Sequence, residues 1–351
     1  MKSIVYALLF SVMTVSAFAQ NNKLPRVKIL ATGGTIAGVG NSADRAGYKA
    51  GALPIDELLN AVPEIHKIAN VTGEQISSVG SQDMTIDIWK KLAVRINEIF
   101  AKNEADAVVI THGTDTQEET AYFLDLTTAH KNAVVITGSM RPATAISADG
   151  PKNLYDAVVV AADPNSKGRG VLVSFNENIF DARDVVKTNT TQLDAFTAPN
   201  GGPIGQIYDG KVQYYFTSIR EVNVNTPFKV TNSTQMPRVD IVYMYADATP
   251  DLINASVNSG AKAIVIAGVG NGNFNKAYMD AITAAIKKGV VVCRATRCVS
   301  GRVVLEDEVD DHALGTIVSD DLNPQKARVL LMLAMANTSD KAQLQKYFFQ
   351  Y

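Results

Sequence analysis

The chain has 351 residues, is 46 % hydrophobic, and carries 33 Lys and Arg against 35 Asp and Glu, a formal net charge of -2. That length accommodates about two domains of ~150 residues each, with an ordinary globular core. The balanced charge, without a basic run, excludes a global field that would draw nucleic acid or an anionic membrane.

Residues 1–19 read as a secretory signal peptide. Lys2 precedes an apolar stretch from Ile4 to Val15, and Ala17-Phe18-Ala19 fits the small-x-small cleavage pattern. The stretch is shorter than the ~20 residues a spanning helix needs. The mature chain is therefore expected to start near Gln20, exported and free of the membrane. Cys293 and Cys298 are the only cysteines. In one extended segment their Cα atoms would lie roughly 16 Å apart, beyond the ~7 Å that a disulfide bridges. They are expected to be unpaired, and two cysteines alone make no metal site.

Beyond the leader, β-rich apolar runs fall at 27–31, 108–111, 134–137, 171–174, 240–244, 264–267 and 290–293. Helical patterns fall between them at 55–62, 86–102, 117–127, 147–162, 275–288 and 324–336. In 86–102, Ile88, Trp89, Leu92, Ala93, Ile96, Ile99 and Phe100 recur at helical spacing. This alternation predicts α/β layers with mainly parallel strands. From about 197 to 237 the pattern changes. Pro199-Asn200-Gly201-Gly202-Pro203 is turn-rich, Lys211 to Phe216 alternates like a hairpin strand, and Thr226-Pro227 and Pro237 follow. The expected fold is a larger N-terminal α/β domain with a mixed, mainly parallel sheet and a smaller C-terminal α/β domain with a parallel sheet. The expected boundaries are 20–215, a linker at 216–237, and 238–351.

Two threonine motifs close apolar runs: Ala31-Thr32-Gly33-Gly34-Thr35-Ile36 and Thr111-His112-Gly113-Thr114-Asp115-Thr116. Ligand crevices of open α/β sheets lie beyond the carboxyl ends of the strands, so these hydroxyls are expected to converge there. A threonine hydroxyl needs a positioned base to act as a nucleophile. Lys187 is a candidate if burial lowers its pKa; otherwise it is a solvated lysine. Asp115 either holds a substrate ammonium or caps a helix. Gly33-Gly34 either lets a backbone N–H approach an anion or simply makes a tight turn. Tyr48, in a polar Gly-containing stretch, is either a lid phenol or a packing residue. Gly268-Val269-Gly270-Asn271-Gly272-Asn273 spaces its third glycine wrongly for a dinucleotide loop. Of the histidines, His66, His130 and His312 read as surface residues, and only His112 is well placed by position.

Read together, these motifs resemble the bacterial type II L-asparaginases, including the related glutaminase-asparaginases. Further matching pieces are Gly73-Glu74-Gln75, Gly80-Ser81-Gln82-Asp83-Met84, Met140-Arg141-Pro142, Ser147-Ala148-Asp149-Gly150, Arg183-Asp184-Val185-Val186-Lys187-Thr188 and Leu322-Asn323-Pro324-Gln325-Lys326-Ala327-Arg328. The likeness runs in order from about residue 24 to 351. It implies that Thr35 attacks the side-chain amide of L-asparagine, assisted by Tyr48, with Thr114, Asp115 and Lys187 as a proton-moving triad. It also implies that Ser81 holds the substrate α-carboxylate, that Gln82 and Asp115 hold its α-ammonium, and that Thr114 binds substrate too. Asn271 and Glu308 would approach the site of a neighbouring subunit, in a homotetramer built as a dimer of intimate dimers. No cofactor and no metal is implied, and the location is the periplasm. Relatives often carry a disulfide where this chain has Phe100 and Ala129-His130, without cysteine. Gln82, where dual-activity relatives often have glutamate, leans toward asparagine over glutamine. The rival readings are a dual-specificity glutaminase-asparaginase, a periplasmic amino-acid-binding protein, and a nucleotide-dependent enzyme suggested only by the glycine-rich loops.

Overall fold

Short, fully buried Val/Ile runs make the centre of the molecule. In the computed structural model, residues 23–40, 42 and 47–351 are described; the signal peptide expected at 1–19 and residues 43–46 of the expected lid lie outside the described residues, and of Tyr48 only the backbone is described. The first domain contains strands β1 (Arg26–Gly33), β2 (Val39–Gly40), β3 (Tyr48–Lys49), β4 (Asn70–Val79), β5 (Ala107–Thr111), β6 (Ala133–Thr137), β7 (Val171–Phe175), β8 (Asn178–Asp181), β9 (Val186–Lys187), β10 (Phe196–Thr197), β11 (Gly205–Tyr208) and β12 (Lys211–Tyr214). Its helices are α1 (Ile55–Asn60), α2 (Ile86–Ala101), α3 (Gln117–Thr127) and α4 (Gly150–Ala162). Strands β13 (Val239–Tyr243), β14 (Ala263–Gly268), β15 (Val291–Thr296) and β16 (Ile317–Val318) follow, with α5 (Asp251–Asn258), α6 (Lys276–Lys287), α7 (Asp311–Leu314), α8 (Pro324–Met335) and α9 (Lys341–Gln350).

The larger sheet has eight strands in the order β12-β11-β8-β7-β6-β5-β1-β4. Strands β4, β1, β5, β6 and β7 run parallel, while β8, β11 and β12 return antiparallel. The second sheet, β13-β14-β15-β16, is wholly parallel. The expected mixed and parallel sheets are both present. Strand β4 was not anticipated. It is polar on both faces and only Ile76 in it is buried, which is how an edge strand escapes hydrophobic patterning.

Helix α2 shows why the local sequence folds as it does. Thr85 caps its first turn by accepting from the Ile88 N–H at 3.3 Å. The stripe of Trp89, Leu92, Ala93, Ile96, Ile99 and Phe100 is buried and packs in one cluster with Leu30, Val108 and Ile110 of the sheet. Each such aliphatic side chain contributes roughly 1.5–3 kcal/mol by leaving water. Helix α8 joins the two domains. Pro324 opens it, Asn323 caps it through Lys326 N–H, and it packs against α3 on one side and β13, β14 and β15 on the other. One hydrophobic cluster therefore runs through both sheets. The segment expected as a linker is tied down in part, with Phe228 buried, Thr226 Oγ1 donating to Leu126 O at 2.6 Å and Asn223 Nδ2 donating to Thr128 Oγ1 at 2.9 Å. Cys293 is buried, Cys298 is exposed, and both are free, as expected. The Phe100 and His130 rings pack with centroids 5.5 Å apart.

Asp125 of α3 is buried and its Oδ1 accepts from the Val171 N–H at 2.7 Å. Burial pushes its carboxyl up to about 8, and the Val171 N–H offsets this only in part. In the unfolded chain an aspartate titrates near 4. Between about pH 4 and pH 8 the folded state therefore holds the extra proton, and stability falls as pH rises across that window. Asp125→Asn keeps an acceptor for Val171 but cannot ionise. Its melting temperature should gain on that of the unmodified protein between pH 5 and pH 8, by the equivalent of a few kcal/mol. Parallel melting curves at the two pH values check this, since any constant cost of the substitution cancels.

Candidate active site

Neighbouring parallel strands that end in register bring their following turns together. Ala31 of β1 pairs with Thr111 of β5, so the two threonine motifs emerge side by side. Gly33 and Gly34 hold positive φ values of 113° and 79°, which glycine alone adopts readily. They turn the chain into a short helical turn at Thr35–Ala37 in which Thr35 is buried. A Cβ on Gly34 would stand 2.3 Å from Gly113 N, and one on Gly113 would stand 2.7 Å from Ser81 Oγ. The backbones of the first motif and the second are thus in contact, and Ser81 lies directly against the second. The end of β4 is bound in as well, with Gly34 N–H donating to Val79 O at 2.9 Å.

Thr114, Asp115 and Lys187 are brought together. Lys187 Nζ donates to Thr114 Oγ1 at 2.8 Å and lies 2.6 Å from Asp115 Oδ1. The lysine side chain is only 13 % exposed, whereas that of Asp115 is 61 % exposed. The carboxylate thus faces solvent with its amine partner behind it. Asp115 does not cap α3 with its side chain; the residue before Gln117 is Thr116, whose hydroxyl donates instead to Ser81 O at 2.7 Å. Ser81 Oγ accepts from Asp115 N–H at 3.1 Å. Thr35, Ser81, Thr114, Asp115 and Lys187 therefore lie on segments in contact with one another.

Gln82 is exposed beside Ser81, and its Nε2 donates to Asp83 Oδ2 at 3.2 Å. Tyr48 is placed only by its backbone, which pairs with Gly40. Asn271 and Glu308 sit elsewhere, on paired loops of the second domain. Asn271 Nδ2 donates to Asp307 Oδ2 at 2.7 Å, and Glu308 accepts from Asn273 Nδ2. Those loops are assembled on Arg294, fully buried, which forks onto Asp311 at 2.6 and 2.7 Å and donates to Asn271 O at 2.9 Å and Val304 O at 3.1 Å. Burial alone would raise the Asp311 carboxyl, but the Arg294 fork and the Thr316 hydroxyl hold it below its ordinary value.

His112 has a structural place that its sequence position did not reveal. Gly113 O can only accept, so His112 Nδ1 carries the hydrogen and donates to it at 2.6 Å. In the neutral ring Nε2 then accepts from the Thr120 hydroxyl at 2.9 Å, and that hydroxyl accepts from Trp89 Nε1 at 2.7 Å. Burial holds this imidazole down at about 4, with the Gly113 carbonyl offsetting it in part, so the ring is neutral at physiological pH. The carbonyl and N–H of a trans peptide point opposite ways. Anchoring Gly113 O on the ring therefore turns the Thr114 N–H away from it. A cavity of about 540 Å³ between the domains is lined by Asp115, Glu118, Glu119, Lys187, Tyr243 and Gln325.

A mixed eight-stranded sheet beside a four-stranded parallel one, with hydroxyls, an amine and a carboxylate gathered past the strand ends, is the build of a two-domain α/β enzyme. The family profile described as "Asparaginase, N-terminal" matches residues 26–220, and that described as "Glutaminase/Asparaginase C-terminal domain" matches residues 238–348. The chain belongs to the asparaginase family. It is 52 % identical over 325 residues to a probable periplasmic L-asparaginase of Haemophilus influenzae, covering 93 % of each chain. It is 50 % identical to L-asparaginase 2 of Escherichia coli, over 93 % of this chain and 94 % of that one. A crystal structure of a probable cytoplasmic L-asparaginase from Campylobacter jejuni superposes with a TM-score of 0.90 at 48 % identity, over 93 % of this chain and 100 % of that one.

Gly34→Ala tests the contact at the centre of the site. The new methyl meets Gly113 backbone at a positive φ, a conformation that costs a non-glycine residue roughly 1–3 kcal/mol before any clash. Urea unfolding should show a loss of at least that size, with activity falling in the protein that remains folded.

Proposed function

We propose that this protein is an exported amidohydrolase that converts L-asparagine to L-aspartate and ammonia through an acyl-enzyme on Thr35, with weaker action on L-glutamine. The observation that carries this reading is the Lys187 amine 2.8 Å from Thr114 Oγ1 and 2.6 Å from Asp115 Oδ1, on loops that touch the Thr35 turn. A part-exposed ion pair of this kind adds at most about 1 kcal/mol to stability. Its arrangement is better explained by proton transfer than by folding.

In this reading, Thr35 Oγ forms a bond to the carboxamide carbon as its proton leaves toward Tyr48. The carbonyl oxygen becomes an oxyanion, for which the N–H groups of Thr114 and Thr35 are the natural donors. The C–N bond then breaks and the nitrogen leaves as ammonia, having taken the proton that Thr35 gave up toward Tyr48. Water adds to the ester as its proton leaves through the Thr114 hydroxyl toward the Lys187–Asp115 pair, and the Thr35–acyl bond breaks with return of a proton to Thr35 Oγ, releasing aspartate. Ser81 takes the α-carboxylate of the substrate, while Gln82 and the solvent-facing Asp115 take the ammonium. Asn271 and Glu308 serve the site of a neighbouring subunit in a homotetramer, which accords with their place on loops of the second domain, bonded to Asp307 and Asn273. The leader-like first 19 residues support export to the periplasm, as does the relative that bears that designation.

Steady-state ammonia release from both amides by the mature protein tests the activity. A pocket that discriminates by one methylene gains about 1–3 kcal/mol, so kcat/KM for asparagine should exceed that for glutamine by roughly 10- to 200-fold. Thr35→Ala should lower turnover by about 10³-fold or more; near-normal turnover removes Thr35 from the nucleophile's place. Lys187→Met should depress kcat by about 10²–10⁴-fold with little change in KM. An amino acid bound in calorimetry but never consumed would instead identify a binding protein.

A further inference from the structure

We propose that Glu118 is a positioning residue for the Lys187 amine, set in register by the first turn of α8 in the second domain. The inference rests on the base role proposed for Lys187. Strand β9 is two residues long and pairs on one side only, Lys187 with Phe196 and Val186 with Thr197. The Lys187 N–H does not go to that partner. It donates to Glu118 Oε2 at 2.6 Å. Glu118 is buried at 3 % exposure and lies three residues after Asp115, in the first turn of α3. One short stretch of chain therefore supplies both the carboxylate beside the amine and the acceptor that holds the amine's own backbone.

The other oxygen of Glu118 faces the second domain. Its Oε1 accepts from Asn323 Nδ2 at 2.9 Å and from Gln325 Nε2 at 2.7 Å. Asn323 cannot turn its amide round, because its Oδ1 caps α8 by accepting from Lys326 N–H at 3.0 Å. Lys326, at 1 % exposure, donates its Nζ to Arg183 O at 2.7 Å and to Val185 O. The segment 183–187 is thus held at Arg183 O, Val185 O and Lys187 N by α8 and α3 together. Both oxygens of Glu118 meet N–H donors whose direction is fixed. A carboxylate satisfies that arrangement and a carboxamide does not, since its NH₂ must face either Lys187 N–H or Asn323 Nδ2. A displacement of about 1 Å at a reacting group costs up to ~10²-fold in rate, and Lys187 carries any backbone shift straight to Thr114.

The test is a reversal of polarity. Glu118→Gln should lower kcat for asparagine by about 10- to 100-fold with KM changed by less than about 3-fold. Adding Asn323→Asp should restore kcat to within about 3-fold, because the new carboxylate keeps the helix cap with one oxygen and accepts from the introduced amide with the other. Gln325 rotates to offer its own oxygen. Unchanged kcat in folded Glu118→Gln overturns the proposal, and so does a loss that Asn323→Asp fails to repair in a protein with an intact melting transition. Should Glu118→Gln not fold, Gln325→Ala replaces it, with an expected 3- to 10-fold loss of kcat at constant KM; unchanged kcat there removes the link to α8. Lys187→Met separates the two readings. If it abolishes turnover while Glu118→Gln is silent, only the Glu118 inference falls; if Lys187→Met is itself silent, the base assignment falls and takes this inference with it.

Discussion

Gly34 and Gly113 touch where two parallel strands end, and the site is arranged around that contact. The in-register pairing of β1 with β5 delivers both turns to the same edge of the sheet. With no Cβ on either residue the backbones close to a distance that no other residue pair permits. One residue beyond each glycine stands a threonine. The spacing of the two hydroxyl-bearing turns is therefore a property of main chain and strand register, the stiffest parts of the molecule, rather than of side-chain packing. The buried relay from Trp89 through Thr120 to His112 acts on the same turn from the core side, fixing the Gly113 peptide plane.

The second domain contributes through α8 and through its loops. Helix α8 is apolar enough to join the cores of both sheets, and its capped first turn carries the polar groups that reach the Lys187 segment. The loops of that domain use a different device. Arg294 is wholly buried, with its charge matched by Asp311 and its remaining N–H groups spent on loop carbonyls. Removing either partner of such a pair costs about 3–5 kcal/mol by stranding a charge. The loops bearing Asn271 and Glu308 are consequently shaped by a charged post at their base.

Much of this was legible in the sequence, because periodicity reports burial. Fully buried strands such as 107–111 and 133–137 and amphipathic helices such as 86–101 announce themselves. Strand β4 does not, since its residues are mostly solvated and its place depends on pairing with β1. Helix α9 has mixed composition and is recognised by what it packs on, chiefly α8. The Thr35, Ser81, Thr114, Asp115 and Lys187 motifs were visible as motifs, but nothing local tells that residue 187 folds onto residue 114. Glu118 lies two residues past the second threonine motif and Lys326 within the Leu322-to-Arg328 piece, and neither shows its role locally. An acidic residue in a first helical turn reads as a dipole partner, and a lysine near a helix start reads as solvated. Only tertiary structure turns them inward. The capping role weighed for Asp115 failed because its carboxylate is drawn to the lysine instead.

The two cysteine thiols of the chain have a consequence of their own. One is sealed in a strand of the second sheet and the other is open to solvent, and they form no bridge. No disulfide therefore ties the folded chain to itself, and folding of the chain requires no electron acceptor. Refolding from denaturant can proceed in reductant as readily as in air, without the slow shuffling of mispaired bridges that delays cystine-rich secreted proteins.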